Sequence, residues 1–111
     1  MSSKAEQCIA KAEMLLRYKK HNDFDKVIES LENAIQLAKE DEDEFASLIQ
    51  AHCFLGEVLF MKGDYTLASE HFSFIDDNTE KIYRDWDDVL NRELQTSDTL
   101  SALIKRYGLL Q

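Results

Sequence analysis

A chain of 111 residues with no proline, three glycines and 44% hydrophobic residues is sized for one domain with its own core, and speaks against long loops, collagen-like order and low-complexity disorder. The formal net charge of −9 repels nucleic-acid backbones and anionic membrane surfaces and attracts basic segments. Two cysteines make no disulfide framework, the polar start "MSSKAEQ" has no apolar leader, and no apolar run approaches the ~18 residues of a membrane span, so the expected compartment is the cytoplasm or a nucleus.

The first helix is expected over residues 4–20. Ala5, Cys8, Ile9, Ala12, Leu15, Leu16 and Lys19 recur at three-and-four spacing, and Ser2 or Ser3 is placed to cap the start. "HNDF" at 21–24 interrupts it, because these polar side chains compete for backbone hydrogen bonds. Asp23 then serves as N-cap of a second helix over 24–40, with Phe24, Val27, Ile28, Leu31, Ala34, Ile35 and Ala38 on its apolar face. Five consecutive acids, Glu40–Glu44, mark a solvated joint near residue 41. They sit better at the positive start of the next helix than at the negative end of the last.

The third helix, 43–62, presents Phe45, Leu48, Ile49, His52, Leu55, Gly56, Leu59 and Phe60 on one broad face. In "KGD", Gly63 suits a left-handed helix end and Asp64 a cap for the fourth helix, 65–76, with Tyr65, Leu67, Ala68, Phe72 and Ile75. "DDNT" is the next break. A fifth helix over 79–95 carries Ile82, Trp86, Val89, Leu90 and Leu94. "TSD" at 96–98 is expected to cap a sixth, 98–107, with Leu100, Leu103, Ile104 and Tyr107, closed by Gly108. Breaks this short force antiparallel neighbours. The expected fold is therefore all-α, with about six helices in antiparallel hairpins.

Residues 24–35 and 65–76 align at an offset of 41: Phe24 with Tyr65, Val27 with Ala68, Leu31 with Phe72, Ala34 with Ile75. Such self-similarity marks a stacked repeat. Leu55, Gly56, Gly63-Asp64-Tyr65, Ala68 and Phe72 in the second copy, with Tyr18, Asp23-Phe24 and Ala34 in the first, resemble the tetratricopeptide repeat family. The resemblance covers residues 8 to about 80. The offset exceeds the family's usual period of about 34, so this chain is similar to its long-repeat members. Leu15 and Val27 replace expected small residues, and Lys11 and His52 stand at the usual tryptophan position.

The resemblance implies a right-handed stack of hairpins. The first would span 4–40, the second 43–77, with capping helices over 79–108 in a single domain 1–111. It also implies a concave groove that binds a partner protein, lined by Ile9, Ala12, Leu16, Lys19 and Lys20, then Gln50, Cys53, Glu57, Phe60 and Met61. Some members clamp a partner's C-terminal carboxylates there with Lys and Asn. The matching positions here are Ala12, Leu16 and Phe54, so acidic tails of heat-shock chaperones are not the expected ligand.

The expected role is that of a non-catalytic adaptor, chaperone or assembly subunit, whose partner carries a basic or amphipathic helical segment. The groove is either open to that partner or filled by the fifth or sixth helix or by a second copy. Trp86, ringed by charge in "RDWDD", is either a core residue or an interface anchor, and a homodimer burying it is the first alternative. A sensor or enzyme with an enclosed pocket is the second. No Gly-x-Ser-x-Gly or phosphate-cradling loop occurs, and His21, His52 and His71 lack the Glu-x-x-His spacing of a di-iron bundle. No catalytic set, metal or cofactor is expected.

Overall fold

A computed structural model describes residues 2–18 and 24–110. Six α-helices follow in order: α1 Lys4–Tyr18, α2 Asp25–Ala38, α3 Phe45–Lys62, α4 Tyr65–Asp77, α5 Thr79–Asp85 and α6 Asp87–Arg106, with a one-turn 3-10 helix at Glu42–Glu44 leading into α3. The fold is all-α, with no strand among the described residues. The expected cap Asp23 and the expected reach of the first helix to residue 20 lie outside the described residues.

Local chemistry sets most of these boundaries. At the start of α1, Ser3 Oγ accepts from the Glu6 N–H at 3.1 Å and Glu6 Oε1 accepts from the Ser3 N–H at 3.3 Å, a reciprocal capping box. The Asp41 carboxylate accepts from the Asp43 N–H at 2.9 Å and opens the 3-10 turn. Gly63 closes α3 at φ 90°, a left-handed conformation that costs a side-chain-bearing residue about 1 kcal/mol or more. Its N–H donates to the Phe60 carbonyl at 3.1 Å, and the Asp64 N–H donates to the Leu59 carbonyl at 2.8 Å. Asp64 does not cap α4 with its carboxylate, however. The Leu59 bond holds its backbone in the turn, and only its carbonyl serves α4, accepting from Ala68 at 3.0 Å.

The C-terminal third departs from expectation. No helix starts at 98. α6 runs unbroken through "TSD" because Ser97 is buried against α4 and donates its hydroxyl to the Phe72 carbonyl at 3.2 Å. Tertiary contact there overrides a capping pattern. The break lies at Trp86 instead (φ −137°, ψ 17°), whose carbonyl accepts from Val89 and Leu90 at 3.0 and 2.9 Å. Asp87 and Asp88 then occupy the positive first turn of α6. Val89, Tyr107 and Leu67 are exposed, unlike the stripes expected for them. Leu67 and Val89 each lie beside a buried neighbour, Ala68 and Leu90, about 100° round the helix from the packed face, and Tyr107 follows the last residue of α6.

α1 pairs with α2 and α3 with α4, α2 lies against α3, and α6 crosses both α3 and α4. Ser3 Oγ also donates to Glu44 Oε2 at 3.0 Å, which fastens the start of α1 to the approach to α3. Two apolar clusters form. Ala12, Val27, Leu31, Leu55, Val58, Leu59, Ala68, Phe72 and Ile104 make the first. Phe45, Ile49, Cys53, Ile75, Ile82, Leu90 and Leu94 make the second. Each buried leucine, isoleucine or phenylalanine contributes roughly 1.5–3 kcal/mol by leaving water.

α3 belongs to both clusters, which explains its composition. Against the expectation of no near-span, Glu42–Lys62 is long and apolar enough to cross a membrane by length and composition alone, with half of that window buried inside the fold. The four aligned pairs share their burial: Val27, Ala68, Leu31, Phe72, Ala34 and Ile75 are all inaccessible, and Phe24 and Tyr65 are both half-buried. Gly56 permits the α3–α4 approach. A Cβ there would lie 2.5 Å from Cε1 of Phe72, well inside contact distance.

Candidate functional site

A cleft of about 370 Å³ opens between α1, α3 and α6. α1 contributes Ile9, Glu13 and Leu16, α3 contributes Gln50, Phe54 and Glu57, and α6 contributes Arg92 and Glu93. Residues at i, i+4 and i+7 share one helix face, so α1 and α3 each offer a stripe. The stripes are also related by the sequence offset of 41, which carries Ile9 to Gln50, Glu13 to Phe54 and Leu16 to Glu57.

The third wall is α6. Arg92 is largely exposed and lies 3.9 Å from Glu57 Oε2 and 3.4 Å from Glu93 Oε2. Glu93 is only 6% exposed. Its Oε1 is buried and has no hydrogen-bond partner. Burial pushes the half-buried Glu57 carboxyl above the usual carboxylate range, with Arg92 acting in the opposite sense. Beneath it, the Cys53 thiol donates weakly to Glu57 Oε1 at 3.5 Å. Burial and the neighbouring carboxylates push that thiol far up, leaving it protonated and inert as a nucleophile.

Of the residues expected in a groove, Leu16, Gln50 and Glu57 stand in the cleft wall together with Ile9. Ala12 and Cys53 are fully buried beneath it. Phe60 packs edge-on against Tyr65 at 5.3 Å, Met61 is exposed, and neither lines the cleft. Lys19 and Lys20 lie outside the described residues. Trp86 is half-buried at the α5–α6 junction, 6.2 Å from the Phe45 ring. Sequence reasoning missed Glu13, Arg92 and Glu93. The position of Glu93 on the α6 stripe, between Leu90 and Leu94, was the available signal.

A second polar feature joins α3 to α4. His52 and His71 meet through their Nδ1 atoms at 2.9 Å, and His52 stacks on Phe74 at 3.9 Å. One Nδ1 donates and the other accepts, so the accepting ring is neutral with its proton on Nε2. Burial, then the second imidazole, lowers His52 to about 4, and burial lowers His71. No cluster of three metal-ligating side chains occurs among the described residues.

A wider furrow of about 490 Å³ lies between α4 and α6, lined by Ser69, Ser73, Ser97 and Ser101 among others. The Ser97 hydroxyl is already engaged there. The α1–α3–α6 cleft therefore holds the one unpartnered buried polar side-chain atom among the described residues. It offers acceptors and an apolar wall but no activated nucleophile. No family model, no curated protein and no solved structure matches this chain.

Proposed function

We propose that the protein is a non-catalytic interaction module of tetratricopeptide-like architecture that holds a segment of another protein in the α1–α3–α6 cleft. The observation that carries this reading is the sequence relation of the two long walls. Ile9, Glu13 and Leu16 on α1 and Gln50, Phe54 and Glu57 on α3 line the cleft and stand 41 residues apart in the sequence, the offset of the proposed repeat. A surface assembled from equivalent helix faces is what a repeat scaffold uses to bind extended partners. The walls belong to packed helices, so little ordering entropy is lost by this side on association.

Catalysis finds no support in the thiol or the imidazoles, since Cys53 is buried and protonated and the histidines are engaged with each other. A homodimer built on Trp86 draws less support than partner binding, because that ring is packed against Phe45. The two unpaired thiols suit a reducing compartment such as the cytoplasm.

The test is site-specific photo-crosslinking in native extract. A benzophenone side chain replaces Gln50 in the cleft or Glu32 on the exposed face of α2. Discrete products from position 50, absent from position 32 and lost when Leu16→Arg blocks the cleft, are expected. Identical products from both positions, or none from position 50, would overturn the reading.

A further inference from the structure

We propose that the cleft recognises a cationic side chain, an arginine or lysine of the bound segment. Its head is held by Glu57 and Glu93, and its methylene stem lies along Ile9, Leu16 and Phe54. This rests on the reading of the cleft as a partner-binding surface.

The charges of the cleft do not balance. Glu13, Glu57 and Glu93 face a single cation, Arg92. Its approaches of 3.4 and 3.9 Å are longer than the ~2.7–2.9 Å of a charge-assisted hydrogen bond. Its side chain is 71% exposed, so water screens much of what it supplies. The Glu93 carboxylate is therefore buried with one oxygen loosely met and the other unmet. A buried acceptor without a donor is costly, and native folds keep few of them. An incoming guanidinium or ammonium carries donors and charge together.

The lining also selects the form of the cation. Ile9, Leu16 and Phe54 give apolar surface beside the acids, which matches a charged head on an aliphatic stem. A bare metal ion finds no cluster of three ligands among the described residues. A volume of about 370 Å³ falls near the lower end of the range for specific pockets, about 300–1,000 Å³. Arg92, as an exposed long side chain, reorients within nanoseconds and admits the head without backbone movement. The net charge of −9 draws a basic segment toward the protein.

The experiment uses the whole chain, 15N-labelled, titrated with Nα-acetyl-arginine methylamide, its lysine counterpart, and the neutral citrulline isostere. Saturable shifts of backbone amides in 50–57 and 90–94 are expected, with the cationic compounds binding at least fivefold tighter than citrulline. Glu93→Gln should abolish that preference. Glu57→Gln, at a half-buried position, should weaken it at least threefold and serves if Glu93→Gln does not fold. Asp41→Asn with Asp43→Asn should change nothing.

Equal binding of citrulline, shifts spread over Glu40–Glu44 and Asp87–Asp88, or undiminished preference in both cleft variants would overturn the proposal. Crosslinking from position 50 with no cation preference defeats this inference and leaves the module reading standing. Cation preference without a crosslinked partner defeats the module reading and leaves cation recognition standing.

Discussion

Replacing Gly56 by alanine probes the close approach of α3 to α4. The added Cβ would lie 2.5, 2.8 and 3.0 Å from Cε1, Cζ and Cδ1 of Phe72, against an ordinary carbon–carbon contact of about 3.5–4.0 Å. Phe72 is wholly buried, so its ring has no solvent to swing into. Overpacking of this kind costs about 1–3 kcal/mol. Alanine meanwhile gains about 1 kcal/mol over glycine inside a helix. With an overlap near 1 Å the steric cost falls in the upper part of its range, and net destabilisation of about 1–2 kcal/mol is expected, lowering Tm by roughly 5–10 °C for a domain of this size.

The first hairpin supplies the compensating change. The positions equivalent to Gly56 and Phe72 are Leu15 and Leu31, so a medium-sized pair replaces a small and a large one. Phe72→Leu should therefore relieve the clash, and Gly56→Ala with Phe72→Leu should be less destabilised than the sum of the single variants by about 1–2 kcal/mol. Urea unfolding followed by circular dichroism, with m held constant across the cycle, reads these differences. If Gly56→Ala stabilises by about 1 kcal/mol, as bare helix propensity demands, or the cycle adds within about 0.5 kcal/mol, then α3 and α4 do not meet as described.

Three further outcomes follow from the buried polar groups. The histidine pair has folded pKa values below the ordinary 6.5, with His52 at about 4. The unfolded chain thus binds more protons between those values. The stability from this pair is complete above about pH 6.5 and is lost as pH falls toward 4, on the order of 2 kcal/mol for the partly exposed pair. Urea midpoints at pH 7.5 and 5.0 should differ less in His52→Phe, which keeps the stack on Phe74, and equal differences in both proteins would refute the assignment. Glu93→Leu should raise stability by about 1–3 kcal/mol, since an under-satisfied buried carboxylate gives way to apolar packing; a lower denaturation midpoint would show that Glu93 is well satisfied. Ser97→Ala should lower stability by about 0.5–1.5 kcal/mol through loss of the bond to the Phe72 carbonyl, measured by thermal unfolding, and no change would mean that this bond does not fasten α6 to α4.

The first two-thirds of the fold was legible because its determinants are local. Ser3 with Glu6, Asp41 with Asp43, and Gly63 act within four residues of themselves, and the apolar stripes of α2 and α4 repeat at one offset. The C-terminal third was less legible because its determinants are distant. Ser97 reads as a cap until the Phe72 carbonyl, 25 positions away, takes its hydroxyl. Trp86 breaks the chain while packed on Phe45, 41 positions away.

The cleft shows the same division. Leu16, Gln50 and Glu57 follow from the repeat pattern, whereas Glu93 was passed over because glutamate is read by type as a solvent residue. Its place on a buried stripe overrides its type. Phe60 and Met61 carry the periodicity of a groove but do not line the cleft.

The most direct measurement is the amide hydrogen-exchange footprint of a crosslinked partner, purified and bound to the unmodified protein. Protection is predicted within residues 9–16 of α1, 50–57 of α3 and 90–94 of α6, with α2 and the outer face of α4 unchanged. Protection centred on those outer faces, with the three cleft segments exchanging as in the free protein, would contradict the account.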